Sequence, residues 1–286
     1  MGLSLPKLQH LALYYNRLNG KIPSSINNAS MLTLLELNRN SFTGSVPVLS
    51  NLRYLEHLRL WENNFTGAEF MSSLTNCPSL LSIEMSYNPL MAGILPSSIG
   101  NFSKSLQIIT ASYCDFRGGI PSGIGNLSSL LYLQLSGNQF TGFIPTTIWN
   151  LTQLQKLYLG SNQLEGHISS DLCQLRNLRE LNLSANSFTD PILECLGELQ
   201  SLTSVSLALN KLNSTIPLSF WSLVDLVYLE LQSNYLSGQI SPQIGNLKSL
   251  DYLHLSSNQF AGEIPNEGCF VNFTTDSFAN NSALCG

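Results

Sequence analysis

Residues able to do acid–base, nucleophilic or metal chemistry are scattered through this sequence. The four histidines, His10, His57, His167 and His254, share no metal-ligand spacing with the cysteines, and neither HExxH nor CxxC occurs. The pair of glycines in Gly123-Ile-Gly125 lacks the third glycine of a phosphate-binding loop. No Ser-His-Asp or paired-carboxylate arrangement stands out. We therefore predict a protein without catalytic residues, metal or cofactor.

Aromatic and charged side chains instead recur six, four, two or one residue before a repeating Asn. Large aromatic residues and Arg carry a disproportionate share of binding energy, and a row of exposed aromatics is unusual on a soluble protein. Glu36, Arg59 and Glu84 occupy equivalent positions, so the alternative is a charge ladder worth a few tenths of a kcal/mol per pair. The candidates for ligand contact are Tyr14, Tyr15, Arg39, Arg59, Trp61, Glu62, Glu84 and Tyr87, with a weaker group of Tyr132, Tyr158 and Tyr228.

These positions belong to an internal repeat with the frame LxLxxNxLxG. Leu11-Ala-Leu-Tyr-Tyr-Asn16-Arg-Leu18-Asn-Gly20 returns as Leu133-Gln-Leu-Ser-Gly-Asn138-Gln-Phe140-Thr-Gly142. There are eleven copies in all, at a spacing of about 24 residues, which is within the range of a leucine-rich repeat. Their Asn positions form a column, whose members are Asn16, Asn40, Asn63, Asn88, Cys114, Asn138, Asn162, Asn186, Asn210, Asn234 and Asn258.

The repeat predicts a leucine-rich-repeat solenoid with a horseshoe or superhelical form. Each LxL segment is expected to form one short strand of a parallel sheet on the concave face. The leucines point into the core, and the residues between them face the concave side. An Ile-Pro pair after the Gly suits an edge or turn, and the rest of each repeat, such as Ser122 to Leu130, is expected to return along the convex face as a short helical or 3₁₀ segment.

The column Asn has a predicted structural role. Its amide group both donates and accepts, so a stack of Asn side chains can satisfy backbone groups where the chain turns inside the core. Cys114 takes one of these positions, where a thiol is a weaker donor than an amide. We expect this thiol to be structural.

The extended frame LxxLxxLxLxxNxLxGxIP resembles the plant-specific class of leucine-rich repeats. That class occurs in receptor kinases, receptor-like proteins and polygalacturonase-inhibiting proteins. The tail, from Gly262-Glu-Ile-Pro to Cys269, Thr274 and Leu284-Cys285-Gly286, is similar to the closing cap of receptor kinases, above all the immune-receptor subfamily of the flagellin and bacterial elongation-factor receptors. The resemblance therefore divides the chain into a repeat array over 1–265 and a truncated cap over 266–286.

The resemblance implies an extracellular module that binds a peptide or protein ligand, together with a possible co-receptor. In full-length relatives a membrane helix and a kinase follow, which implies the extracellular face of the plasma membrane. This chain carries neither of these, nor a signal peptide or paired-Cys cap at its start, so we expect a fragment or truncated product. The alternative is a secreted inhibitor of the polygalacturonase-inhibiting type, which would need a paired-Cys cap at each end.

Composition excludes some partners. Charged residues make up only 11% of the chain and the formal net charge is −5, with no Lys or Arg cluster that could follow a phosphate backbone. Nucleic acid is therefore not an expected partner. No window approaches the roughly 18 consecutive apolar residues of a membrane span.

The six cysteines do not predict a disulfide framework. Cys77 stands at a core Leu position, Cys114 lies in the column, and Cys173 and Cys195 lie in apolar return segments two residues out of register. Buried free thiols are the prediction for these four. By resemblance, Cys285 is a cap cysteine whose partner is missing, and it is either unpaired or joined to Cys269.

The positions of the glycosylation sequons favour an extracellular location. Asn28, Asn101, Asn126 and Asn150 all fall 12 or 13 residues after a column position, which predicts one outer flank for glycans and an open inner face. Asn182 falls on a strand position, so we predict that ligand contact avoids repeat eight. The nine sequons are at Asn28, Asn64, Asn101, Asn126, Asn150, Asn182, Asn213, Asn272 and Asn280.

Overall fold

The computed structural model describes residue 5 and residues 7–285, which fall into two units. The first unit contains the described residues up to Thr141 together with Pro145–Leu154. The second contains Gly142–Ile144 and the described residues from Gln155 onward. No helix in this described part of the chain is long and apolar enough to cross a bilayer.

Short strands and 3₁₀ helices (η) alternate along the first unit, and Gly142 at the end of β12 already belongs to the second. In chain order they are β1 (His10–Ala12), β2 (Asn19–Gly20), η1 (Ser24–Asn28), β3 (Leu34–Glu36), β4 (Ser41–Gly44), β5 (His57–Arg59), β6 (Asn64–Phe65), η2 (Glu69–Asn76), β7 (Ser82–Glu84), β8 (Ala92–Gly93), η3 (Ser97–Asn101), β9 (Ile108–Thr110), β10 (Asp115–Gly118), η4 (Ser122–Asn126), β11 (Tyr132–Gln134), β12 (Gln139–Gly142) and η5 (Thr146–Asn150).

The second unit continues the same alternation. Its elements are β13 (Lys156–Tyr158), β14 (Gln163–His167), η6 (Ser170–Gln174), β15 (Glu180–Asn182), β16 (Ser187–Thr189), η7 (Glu194–Glu198), β17 (Ser204–Ser206), β18 (Asn213–Ser214), η8 (Leu218–Ser222), β19 (Tyr228–Glu230), β20 (Tyr235–Gln239), η9 (Pro242–Asn246), β21 (Tyr252–His254), β22 (Gln259–Glu263), η10 (Gly268–Asn272), η11 (Thr275–Ser277) and β23 (Ala283–Cys285).

The LxL segments form parallel sheets in which sequence order equals spatial order. In the first unit β1, β3, β5, β7, β9 and β11 lie side by side, and in the second β13, β15, β17, β19 and β21 do so. Equivalent repeat positions pair, as Leu35 does with Leu58. The fold is therefore a leucine-rich-repeat solenoid with 3₁₀ returns, as the repeat predicts.

The prediction of one strand per repeat is wrong, because most repeats carry a second short strand after the column. Examples are β2, β4 and β6, which form a parallel three-stranded sheet. Many of these strands contain or directly precede a Gly with positive φ, such as Gly44 at 73°, a conformation that Gly adopts readily. The NxLxG segments of successive repeats therefore lie side by side in register. Once the repeats stack, their backbones can pair as parallel strands without any special side-chain pattern.

The core lies between the strands and the 3₁₀ helices. Leu35, Leu58, Ile83, Ile109 and Leu133 are the middle residues of successive strands in the first unit, and all are fully buried. Burying a side chain of this size stabilises a fold by about 1.5 to 3 kcal/mol. Each depends on the neighbouring repeat for its cover, which is why a single repeat could not fold alone.

The predicted hydrogen bonding of the column is confirmed at Asn138. Its Nδ2 donates to the carbonyl oxygens of Ala111 at 2.7 Å and Leu135 at 2.9 Å, and its Oδ1 accepts from Phe116 N at 3.0 Å. One amide therefore satisfies backbone groups of two successive repeats. Cys114 keeps the donor role, with its Sγ 3.4 Å from Met85 O.

The column extends one position beyond the eleven predicted from the sequence. Asn281 is buried, its Nδ2 donates to Leu255 O at 3.2 Å, and its Oδ1 accepts from Phe260 N at 3.1 Å. β23 then pairs with β22 as the second strand of this last repeat. The sequence around Asn281 departs from the repeat frame, so this last repeat is recognised from its hydrogen bonds and not from its sequence.

The prediction of free thiols at Cys173 and Cys195 is wrong, because the two form a disulfide. Cys173 is the fourth residue of η6 and Cys195 the second of η7, so they are indeed offset by two residues along successive repeats. The two helices pack closely enough to bring the Cα atoms to 5.9 Å, within the usual disulfide range. Cys77 and Cys114 are free, as predicted, and Cys269 and Cys285 are also free.

Candidate ligand-recognition surface

The residue directly before each column position has a left-handed backbone. Such a conformation costs a residue with a Cβ about 1 to 2 kcal/mol, and here it turns the chain so that the Asn points inward. The side chain before it is consequently held out from the surface. Five of the six such residues in the first unit are large, and the sixth is Gly137 (φ 67°). We call the five large ones the turn row: Tyr15 (φ 57°), Arg39 (55°), Glu62 (53°), Tyr87 (58°) and Tyr113 (55°).

The second unit has a different composition at the same position. Its left-handed residues include Ser161, Ala185, Ser233 and Ser257, with Leu209 as the one larger apolar residue among these five. The backbone conformation is the same, so the difference between the units lies only in the side chains. Small side chains suffice for the fold, which means that the large ones of the turn row are not required by it.

Arg39 joins three other sequence-predicted residues of the first unit. Its guanidinium carbon lies 5.4 Å from the Tyr15 ring centroid and 4.8 Å from the Trp61 ring centroid, within cation–π distance of both. Its Nε donates to Glu62 Oε2 at 3.1 Å. Tyr15 remains 72% exposed. The guanidinium is thus fixed in place while much of the cluster remains accessible.

Arg59 lies between two carboxylates on neighbouring strands. Its Nη1 donates to Glu36 Oε1 on β3, and its Nε donates to Glu84 Oε1 on β7 at 3.1 Å. Burial lowers the pKa of Arg59, but the hydrogen bonds and charges of Glu36 and Glu84 outweigh this effect and raise the pKa overall. Ser82 Oγ also donates to Glu84 Oε1 at 3.0 Å. The charge ladder considered from the sequence therefore exists.

These residues surround an open depression of about 340 Å³, which we call the recognition pocket. It brings together six of the eleven predicted contact residues with two that the sequence analysis did not select as candidates. A second depression, of about 870 Å³, lies beside it and shares Tyr15 and Arg39. The recognition pocket is lined by Tyr14, Tyr15, Glu36, Asn38, Arg39, Arg59, Trp61 and Glu84.

Tyr113 is a candidate that the sequence reasoning missed. Its ring stacks on that of Tyr87, with centroids 4.8 Å apart, and both side chains are about half exposed. The Tyr113 ring covers Gly137, where an added Cβ would lie 2.6 Å from Tyr113 Cδ1. Tyr113 stands directly before the column residue Cys114, the same position as Tyr15, Arg39 and Tyr87, but the sequence analysis did not select it.

The weaker predicted candidates lie elsewhere and do not line the recognition pocket. Tyr132 is half-buried on β11 of the first unit. Tyr158, on β13 of the second unit, donates its hydroxyl to Glu180. Tyr228 stacks on Tyr252 with centroids 4.5 Å apart, and burial together with the neighbouring Glu230 raises the pKa of Tyr228. These tyrosines are largely engaged with their neighbours.

Most sequon asparagines are exposed. Asn28, Asn101, Asn126 and Asn150 are each the last residue of a 3₁₀ helix, so the common position predicted from the spacing is confirmed. Asn272 ends η10 in the same way, although its spacing from the column differs. Asn182 is half-buried on β15, where its Oδ1 accepts from Ser184 Oγ at 2.7 Å.

No group of three or more His, Cys, Asp or Glu is placed to hold a metal ion anywhere in residue 5 or residues 7–285. The surface described above offers hydrogen-bonding, charged and aromatic groups, all of which suit binding.

Comparison with known families agrees with the fold. Residues 90–219 match the family described as a leucine-rich repeat region. Residues 7–29, 225–247 and 249–270 match the single leucine-rich repeat. Together these matches lie in both units.

Relatives and solved structures point to plant receptors. Receptor-like protein 39 of Arabidopsis thaliana is 36% identical over 137 residues, which cover 48% of this chain and 15% of that protein. A crystal structure of a TDR receptor is 32% identical with a TM-score of 0.86, covering 91% of this chain and 45% of that one. The ectodomain of the Arabidopsis receptor kinase HAESA, in complex with an extended IDA peptide hormone, is 31% identical with a TM-score of 0.79, covering 92% and 48%.

This chain spans less than half the length of each of these three proteins. The repeat frame, the parallel sheets and the named relatives agree with one another. The chain therefore belongs to the leucine-rich-repeat proteins, among which it is related to plant receptor-like proteins and receptor kinases.

Proposed function

We propose that this chain is the extracellular ligand-recognition module of a plant receptor-like kinase and that it binds a peptide or protein on the exposed face of the strands of its first unit. The observation that carries the proposal is the turn row. Large aromatic and charged side chains stand at left-handed positions where Ser and Ala serve the fold equally well. Aromatic residues and Arg, fixed by mutual contacts, are the side chains that dominate binding interfaces.

The related structures support a peptide ligand. The HAESA ectodomain is described in complex with a peptide hormone, and its fold matches 92% of this chain. The receptor relatives do not favour the alternative of a secreted polygalacturonase inhibitor. A pre-formed array of strands also suits an extended ligand, because contacts can be repeated along successive repeats without any change in the backbone.

The finer parts of the proposal rest on the resemblance of the tail and on the sequons. The full-length protein would lie at the plasma membrane with this module outside the cell, where a co-receptor joins the bound ligand. Membership of the immune-receptor subfamily is part of the proposal. The exposed sequons would carry glycans, and a glycan on Asn182 would keep the ligand away from β15.

A binding experiment with peptides from plant extracellular fluid tests the proposal. The chain, secreted from plant cells, is immobilised and the retained peptides are identified by mass spectrometry. Hydrogen exchange then maps the footprint. We expect protection on β1, β3, β5 and β7, and an affinity that falls by at least about 10-fold when Arg39 and Trp61 are both changed to Ser.

The matched control changes Tyr228 and Tyr252 to Ser on the second unit, and it should retain binding. Thermal unfolding of both double variants checks that each is folded. A footprint confined to the 3₁₀ helices, or an equal loss of affinity in the two double variants, would show that the proposed surface is not the binding surface.

A further inference from the structure

We propose that the recognition pocket takes a cationic side chain of the ligand, a guanidinium or an ammonium group, between Glu36, Asn38 and Glu84. This inference rests on the proposed function and specifies the chemistry of its ligand. It follows from the charge balance of the pocket and its surroundings, from the hydrogen-bond acceptors left without donors, and from one buried amide.

Within the pocket, the cluster of Glu36, Arg59 and Glu84 carries a net charge of −1, and Arg17 lies in the neighbouring depression. Glu62 is paired with Arg39, and these two charges cancel. Arg59 is shared by Glu36 and Glu84, so two carboxylates face a single guanidinium. The carboxylates of Glu36 and Glu84 are only 13% and 22% exposed, so water screens this charge less than it would at an open surface.

The two carboxylates also have unused hydrogen-bonding capacity. Arg59 and Ser82 donate to Oε1 of Glu84, and Arg59 donates to Oε1 of Glu36. Among the described residues, no donor reaches Oε2 of either side chain. A carboxylate oxygen accepts readily and cannot donate when ionised. The pocket therefore offers acceptors to a ligand.

Asn38 provides the independent observation. It lines the pocket and is only 5% exposed, yet its Oδ1 has no hydrogen-bond donor among the described residues. A buried acceptor without a donor is destabilising, and native proteins rarely tolerate one without a reason. Rotation of the Asn38 amide toward the pocket would let a ligand donor reach this oxygen and remove the penalty.

An ammonium group carries three N–H donors and a guanidinium carries five, and neither has an acceptor. Either group would therefore match the free oxygens of Glu36, Asn38 and Glu84 and neutralise the excess charge. The exposed Tyr14 ring at the pocket rim adds an aromatic face, which attracts cations. An anionic ligand group would instead face two carboxylates that already occupy Arg59.

Short peptides test this inference directly. The probe is acetyl-Ala-Arg-Ala-amide, compared with the citrulline peptide, which has nearly the same shape without the charge. Binding is followed by tryptophan fluorescence, because Trp149 and Trp221 are buried and Trp61 is the tryptophan that lines the pocket. We expect the Arg peptide to bind at least about 10-fold more tightly than the citrulline peptide.

The variant Glu84→Gln should abolish this preference for Arg, and Asn38→Ala should weaken binding of the Arg peptide. The matched control is Glu230→Gln, which removes a carboxylate from the equivalent position of β19 and should leave the preference unchanged. Circular dichroism confirms that each variant is folded. Equal binding of the two peptides, tighter binding of acetyl-Ala-Glu-Ala-amide, or an unchanged preference in Glu84→Gln would overturn the inference.

The failure of this inference can be separated from the failure of the proposed function. A natural peptide that protects β1 to β7 but contains neither Lys nor Arg would refute the cation pocket and leave the proposed function intact. Selective binding of the Arg probe, with no extracellular peptide retained, would support the pocket and count against the proposed function.

Discussion

The guanidinium of Arg39 lies over the indole ring of Trp61, with 4.8 Å between its central carbon and the ring centroid. The two residues come from successive repeats, so the contact forms only when the repeats stack. Arg39 also has a left-handed backbone, which holds its side chain out from the surface. Its position therefore depends on the stacking of repeats more than on local sequence.

Replacing Arg39 with Gln should alter the surface with little effect on stability. The Arg39 side chain is 45% exposed, and exposed ion pairs and cation–π contacts contribute about 1 kcal/mol or less. We expect a changed native fluorescence from Trp61 and an unfolding free energy, measured in urea, within about 1 kcal/mol of the parent. Arg117→Gln, which breaks an exposed pair with Asp115, should leave the fluorescence unchanged. A loss above about 2 kcal/mol for Arg39→Gln would contradict this view.

Replacing Arg59 with Met should be more costly, because two half-buried carboxylates would then face each other without a cation. We expect a loss of about 1 to 2 kcal/mol near pH 7, smaller than for a fully buried pair because Arg59 is partly exposed. Salt should screen part of the repulsion between Glu36 and Glu84, so the loss should be smaller at high ionic strength. Urea unfolding at low and high salt measures the loss, and a loss independent of salt would count against the explanation.

Replacing Gly137 with Ala should displace the Tyr113 ring. Gly142→Ala is the matched control, because both glycines have positive φ, 67° and 76°, but no atom lies within 4 Å of a Cβ at Gly142. Both variants carry the backbone strain of about 1 kcal/mol, and only Gly137→Ala meets the ring. We expect a larger loss of stability for Gly137→Ala, together with a changed near-ultraviolet circular dichroism spectrum. In a Tyr113→Ala background the two glycine variants should become equivalent, and a persisting difference would exclude the ring as its cause.

Loss of the Cys173–Cys195 disulfide should destabilise the protein by about 3 kcal/mol, because it closes a loop of 22 residues. The double variant Cys173→Ser/Cys195→Ser should therefore unfold at a lower urea concentration than the parent under non-reducing conditions. Cys285→Ser, at an exposed free thiol, is the control and should behave like the parent. Alkylation of both Cys173 and Cys195 in the unfolded, unreduced protein would show that the bond is absent.

The free thiols should differ in their reaction with iodoacetamide. Burial raises the pKa of Cys77 and of Cys114 to about 11, so their reactive thiolate forms are scarce at about pH 8, and burial also raises the pKa of Cys269. Cys285 is exposed and should be alkylated first in the folded protein. The rate at Cys114 should rise as the pH approaches its pKa. Mass spectrometry of timed samples gives the order, and early labelling of Cys77 would contradict it.

The fold was predictable from the sequence because the period of the repeat and the positions of Leu and Asn within it are typical of a leucine-rich-repeat solenoid. Leu35 and Leu58 stand at Leu positions of the frame and are buried as predicted, because each packs against the apolar side chains of the next repeat. The Asn column follows from the hydrogen-bonding capacity of an amide. The second strands were not predicted, because their backbone pairing has no apolar alternation to reveal it.

The candidate surface was only partly predictable. The frame identifies which residues are exposed, and among the candidates that it selected, Arg39 contacts both Tyr15 and Trp61. It missed Tyr113, where the column residue is Cys114, and it assigned no role to Asn38. It also misjudged the cysteine pair, because spacing in the sequence does not report how closely η6 and η7 pack.

By itself, then, the sequence determined the repeat, the apolar core and the set of side chains that face outward, because these depend on residue type at a fixed period. Tertiary structure alone decided which of those side chains contact one another. Arg59 acquires two carboxylates, Arg39 two aromatic rings and Cys173 a disulfide partner only when residues about 24 positions apart are brought side by side by stacking. Such contacts depend on the distance and orientation between side chains of neighbouring repeats, and the sequence of a single repeat does not specify these.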